Sequence, residues 1–255
     1  MRKRMMRVQS VLAAALALPV GASAQAVTEV PVRMEGGRLI VQVDDAAGRS
    51  YDFILGIGDA SISTSMAGHF ADAELSLGGI AFTIADHARV PDDSFAHEGD
   101  ARPVGVLGGA VLMNYDVLID APGGRMLIKP SGRSVRWPGE SLSNAVSIQT
   151  LHGYLVRVNV QIGETVADGL LDLTAPHVQL SPPVGDAEGV TDGSVDSFRM
   201  GYSGWPSVPV KVGLTPTVSA WGGDQRAFAV VGAAAAIDCA LAISWRHQEI
   251  RTCIR

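Results

Sequence analysis

The sequence predicts an all-β protein made of two homologous, β-barrel-like lobes related by a pseudo-two-fold axis. Short runs rich in Val, Ile and Leu recur about every eight to twelve residues, with Gly, Pro, Asp and Asn between them, the pattern of a barrel or sandwich. Residues 37–56 and 153–172 are two copies of one design. A shift of 116 lays Gly37 on Gly153, Leu39-Ile40 on Leu155-Val156, Asp52 on Asp168 and Ile54-Leu55 on Leu170-Leu171. Farther on the shift becomes 124, laying Val106-Leu107-Gly108 on Val230-Val231-Gly232 and Ile119 on Ile243, so the second copy carries eight extra residues.

The chain opens with basic residues, an apolar run and Ala22-Ser23-Ala24, the small-residue pattern that a signal peptidase cuts. Residues 1–24 are therefore expected to be a cleaved signal peptide, with the mature chain periplasmic or secreted. The apolar run is too short to span a bilayer, and no later stretch reaches the roughly 20 apolar residues that a spanning helix needs. Cleavage removes Arg2, Lys3, Arg4 and Arg7 and no acid, which takes the formal charge from −6 to −10. So acidic a chain is a poor partner for nucleic acid. With 47% hydrophobic and 18% charged residues, a sizeable core is expected and disorder is excluded for most of the chain.

The strand-like runs, in order, are Arg38-Val43, Phe53-Ile57, Ile80-Ile84, Val117-Ile119, Met126-Ile128, Leu155-Val160, Val208-Val212 and Ala227-Val231. Short helices are expected at Gly109-Asn114 and its counterpart Ala233-Asp238, with a turn or two at Ser63-Phe70. Lys129-Ala145 lacks periodicity and is rich in Pro, Gly and Ser, so it reads as a connection. The lobes are placed at 25–135 and 146–255, with 136–145 as linker.

Two cysteines cannot build a thiolate metal cluster. Cys239 and Cys253 average to position 246, at Arg246-His247, read as the turn of a hairpin, and so should face each other. An oxidising compartment then favours a disulfide. His69, His87 and His97 are too widely spaced to define a zinc site and read as surface residues, so neither a metal nor a cofactor is expected.

A repeat about a local dyad brings equivalent loops together, as a symmetric dimer does. The loops here are Gly56-Ser61 and Asp172-His177. The second follows Leu170-Leu171 and reads Asp172-Leu173-Thr174-Ala175; the first follows Ile54-Leu55 and reads Gly56-Ile57-Gly58-Asp59. An apolar strand running into such a loop, followed in each copy by a hydrophobic-hydrophobic-Gly element, resembles the aspartic peptidase superfamily, in particular exported bacterial proteins with retropepsin-like or pepsin-like lobes. Met113-Asn114-Tyr115-Asp116-Val117-Leu118-Ile119-Asp120 likewise resembles the family's strand after that Gly. The resemblance covers nearly the whole mature chain and implies catalysis by two adjacent carboxylates that share one proton, one acting as base and the other as acid.

The catalytic pattern departs from the family in both lobes. Asp172 keeps its place, but Gly56 stands at the partner position and has no side chain. Ile57 and Leu173 replace bracing hydroxyls, and Thr174 replaces a permissive Gly. Asp59, three residues past the expected site, is the candidate second acid. The resemblance further implies a flap at Leu75-Thr83 with its turn at Gly78-Gly79, and a ligand groove touched by Gly56, Gly58, Gly78, Gly79, Thr174 and His177. Met200-Trp205 and Trp221-Gly223 offer aromatic groove walls or simple core caps. Positioned acid–base groups are worth about 10²–10⁴-fold in rate. The expected function is therefore a non-catalytic module that binds an extended polypeptide between the lobes. The alternative is an active endopeptidase using Asp172 with Asp59.

Overall fold

The computed structural model describes residues 27–58, 62–64, 74–83, 89–90, 102–132, 137, 141–214, 218–219 and 222–253. The protein is all-β. The first lobe runs through β1 (Thr28–Glu35), β2 (Arg38–Asp45), β3 (Ser50–Gly56), β4 (Ile62–Thr64), β5 (Glu74–Leu77), β6 (Ile80–Thr83), β7 (Arg89–Val90) and β8 (Gly105–Gly108). A one-turn helix α1 (Gly109–Leu112) follows, and the lobe closes with β9 (Tyr115–Asp120) and β10 (Arg125–Pro130). The second lobe repeats the plan with β11 (Val146–Ser147), β12 (Gln149–Leu151), β13 (Leu155–Ile162), β14 (Thr165–Leu171) and β15 (Val178–Leu180). Then come helix α2 (Pro182–Glu188), β16 (Asp192–Val195), β17 (Phe198–Met200), β18 (Ser203–Trp205), β19 (Val208–Val212), β20 (Phe228–Val231), β21 (Leu241–Ser244) and β22 (Glu249–Thr252).

Strand β1 is the element the composition conceals, because Pro31 interrupts it. Its first half pairs with β10 and its second half, from Val32, with β2. Pro31 has no N–H to give and stands where the strand changes partner, a position that tolerates it. In the second lobe β11 pairs with β22 and β12 with β13, the same changeover made by two short strands. The hinge residues correspond: Val32 N donates to Gly124 O and Ile148 N to Gln248 O, each at 2.9 Å.

The two copies agree in register as well as in sequence. Leu55 pairs with Leu107 and Leu171 with Val231, in parallel. Asp44 pairs with Ser76 and Val160 with Met200, so the shift is already 124 at the β17–β18 hairpin. The eight extra residues thus fall before β17, where α2 lies. Its signals are in the sequence: Pro182-Pro183 at the first turn and Gly189 in the left-handed cap, φ 65°.

Strands β9, β10, β21 and β22 form one antiparallel ribbon that joins the lobes. Ile119 pairs with Leu241 and Val117 with Ile243, and a shift of 124 converts the first pair into the second. The ribbon therefore has a local two-fold axis. One apolar core, with Leu55, Ile57, Leu107, Ile119, Leu171, Leu173, Val231 and Ile243 all buried, runs through both lobes. Burying one such side chain fully contributes about 1.5–3 kcal/mol, so Ile57 and Leu173 anchor the two facing loops from within.

Several expectations need adjustment. Cys239 and Cys253 are bonded, with Cα atoms 5.4 Å apart, but they are not directly opposite. Ser244 pairs with Glu249, so the turn spans four residues and Cys253 N donates to Ala240 O at 3.0 Å. The first-lobe hairpin keeps the same register, with Lys129 facing Asp116. Ile62 pairs with Val106 whereas Gln179 pairs with Val230, the counterpart of Val106, so the first loop is one residue shorter than the second. Ser63 and Thr64 are strand, not helix, and Ala233–Ala235 is a single 3-10 turn.

Candidate functional site

Strands β3 and β14 are apolar to their ends, which sets their loops at the middle of the molecule. Gly56 pairs with Gly108 one step beyond Leu55–Leu107, and Asp172 N donates to Val231 O at 3.0 Å one step beyond Leu171. Gly56 and Asp172 are therefore structural equivalents. The Asp172 loop closes on itself and on the Gly that follows β20: Ala175 N donates to Asp172 O at 3.2 Å, and Ala233 N to Ala175 O at 2.8 Å. No side chain fits at Gly232, where a Cβ would run into the carbonyls of Ala175 and His177.

The two loops touch through their backbones. A Cβ on Gly58 would lie 2.5 Å from Leu171 O and 2.7 Å from both Cα and Cβ of Asp172. On either side, Gly37 abuts Pro176, and Gly109 abuts the carbonyls of Ile57 and Tyr154. Trp245 Nε1 donates to Tyr154 O at 2.8 Å, fixing the second lobe's first turn. Sequence reading missed Tyr154 and Trp245, because their role exists only once the lobes are paired.

Asp172 is half-buried. Its Oδ1 accepts from Thr174 N at 2.9 Å and Thr174 Oγ1 at 2.6 Å. Burial pushes its carboxyl above the ordinary carboxylate range, and the two Thr174 hydrogen bonds oppose that shift without cancelling it. Among the described residues, no second carboxylate contributes to its titration or hydrogen-bonds it. One carboxyl inclined to keep its proton can donate a hydrogen bond to a ligand.

No protein-family model matches the chain, and no curated protein matches it.

The structure gathers Gly56, Gly58, Asp172 and Thr174 at one place. His177 follows on the same loop, with an exposed side chain and its carbonyl turned toward Gly232. Gly78 and Gly79 form the expected two-residue turn, with φ 57° and 86°. Gly78, however, is seated on β1, where an added Cβ would lie 2.8 Å from methyls of Thr28 and Val30. The equivalent hairpin tip in the second lobe, Gly201, meets Val146, the counterpart of Val30. Both tips thus close the point where a lobe joins the ribbon. Met200 and Trp205 are buried, with Trp205 tilted against Phe198 at 5.5 Å between ring centres, so they cap the second lobe's core. Asp59, Trp221 and His69, His87 and His97 lie outside the described residues. Among the described residues, no three His, Cys, Asp or Glu side chains converge to hold a metal, and no helix is long and apolar enough to cross a membrane.

Proposed function

We propose that this chain is an exported, two-lobed protein of aspartic-peptidase-like architecture that binds an extended polypeptide without cleaving it. One observation carries the reading: Gly56 occupies the position equivalent to Asp172, so among the described residues the loops meet with one carboxylate where hydrolysis would need two. The disulfide and the signal-like first 24 residues support export to an oxidising compartment. A polypeptide between the lobes would pair through its backbone, with Asp172 offering a hydrogen bond.

The test is incubation of the protein lacking residues 1–24 with unfolded casein from acid to neutral pH, beside Asp172→Asn and Asp59→Asn. No cleavage at any pH is the expected result. Cleavage abolished by both substitutions would establish the endopeptidase reading instead. Absence of any saturable ligand in a peptide library screened on the immobilised protein would defeat the binding role.

A further inference from the structure

We infer that the second lobe holds a separate site for the side-chain carboxylate of an acidic peptide, in a groove outside the Asp172 loop. The groove is made by the strand changeover. The chain leaves β22 at Ser147 and joins β13 at Gln149; β13 pairs with β12 as far as Arg157 and with β17 only from Val160. Val158 and Asn159 are left without a strand partner on that edge. An opening of about 410 Å³ results between Ser147–Gln149 on one side and Arg157–Asn159 with Asp168 on the other, within the size range of small-ligand sites.

At the Asp168 wall of the opening two guanidinium groups converge on one oxygen, Arg157 from among the lining residues and Arg226 from beside them. Arg157 Nη2 lies 2.7 Å and Arg226 Nη1 3.8 Å from Asp168 Oδ2, so the two nitrogens are no farther apart than those distances added. Arg157 Nη1 also donates to Gln149 Oε1 at 3.1 Å. Arg226 is half exposed, lies 5.2 Å from the centre of the Phe228 ring, and makes no side-chain hydrogen bond among the described residues. An arginine fixed over an aromatic face with its N–H groups uncommitted presents a planar fork that matches a carboxylate.

In the first lobe Arg33 pairs with Glu35, at 2.9 Å, and with Asp52, at 3.0 Å, and Asp52 is the counterpart of Asp168. In the second lobe two cations face Asp168, on a chain of formal charge −6. The excess positive charge selects an anion. The amides of Gln149 and Asn159 and the hydroxyl of Ser147 beside it suit the backbone of a peptide rather than a bare ion. The site goes beyond the inter-lobe reading and does not depend on it.

The test titrates the full protein, at low salt, with a labelled Gly-Glu-Gly-Glu-Gly peptide followed by fluorescence polarisation. The Gln analogue, acetate as competitor, and the Arg226→Ala and Asp168→Asn variants complete it. Saturable binding of the Glu peptide is expected, with roughly tenfold loss in Arg226→Ala, the scale of one charged hydrogen-bond partner. Affinity in Asp168→Asn should be equal or tighter, because the internal competitor is gone. The proposal is overturned by no saturable binding, by equal affinity for the Gln peptide or in Arg226→Ala, or by weaker binding in Asp168→Asn. Full displacement by acetate at equal carboxylate concentration would assign the site to a bare anion and overturn the peptide.

Discussion

Leu118 and Ala242 face each other at the middle of the strand pair that joins the lobes, and each is the counterpart of the other under the 124-residue shift. A residue pair that maps onto itself marks the local dyad. Every other equivalence must then be arranged about that point, which is why the ends of β3 and β14 deliver their loops to a common place. The same dyad would also place two carboxylates together if both loops carried one. Here it sets Gly56 opposite Asp172, so among the described residues it brings one carboxylate to this place.

Backbone contact between the loops leaves no room for a side chain at Gly58. Gly58→Ala puts a methyl within 2.7 Å of the Asp172 main chain, which has no flexible end to move aside. The expected cost is roughly 1–3 kcal/mol, the usual range for overpacking, read as a lower urea midpoint. An unchanged midpoint would show that the loops do not meet this closely in solution.

Asp172 should make stability depend on pH in the sense opposite to a salt-bridged acid. Its native carboxyl titrates above the ordinary value of 3.8, so between those two values the native state binds more protons than the unfolded one. Stability is then fully present below 3.8 and falls as pH rises through the native value. Asp172→Asn keeps an oxygen for Thr174 and carries no charge. It should be more stable than wild type at pH 7, on the order of 1 kcal/mol, with the gain disappearing as the pH falls below the ordinary range. Melting curves at acid and neutral pH decide it, and a variant weaker than wild type at pH 7 counts against the assignment.

Much of this was legible in the sequence because duplication makes one copy a control for the other. The shifts of 116 and 124 identified Gly56 as the equivalent of Asp172, and the ladders reproduce both shifts. Tertiary choices were not legible. Pro31 hides β1 because nothing local says that the strand changes partner at that residue. The Gly78-Gly79 turn was readable from composition, but its seat on Val30 depends on where β1 runs. The groove at Arg157 exists only because two sheets part there. Asp168 was visible as the counterpart of Asp52, yet its second arginine lies 58 positions away in number and beside it in space.

Gln248 shows the value of comparing copies. It adopts φ 51° in the second ribbon turn, where the first lobe has Gly124 at φ 66°. A left-handed backbone is strained for a residue with a Cβ, by roughly 1 kcal/mol. The Gln248 side chain is exposed. Gln248→Gly should therefore raise stability by a few tenths to about 1 kcal/mol, the gain being reduced by the greater freedom of Gly when unfolded. Gly124→Gln should lower it by a similar amount. Thermal melts of the two variants test the pair, and a loss of stability in Gln248→Gly would refute the strain argument.

The disulfide should be a local brace of the second lobe. It spans 14 positions, and closing a loop of about 15 residues is worth about 3 kcal/mol through restriction of the unfolded chain. It also holds the end of β22 where Cys253 O accepts from Ser203 Oγ and Thr252 Oγ1 meets the same hydroxyl, a buried polar contact between the ribbon and the β17–β18 hairpin. Cys239→Ala combined with Cys253→Ala should lower stability by roughly that amount and remove all sensitivity to reductant. Wild type in reductant should unfold at the same denaturant concentration as the double variant in air. The first lobe lacks a bridge at this position, so hydrogen exchange should quicken around β17, β18 and β22 while β1 to β3 stay protected. Equal loosening of both lobes would mean that the bond stabilises the molecule as a whole and not this corner of it.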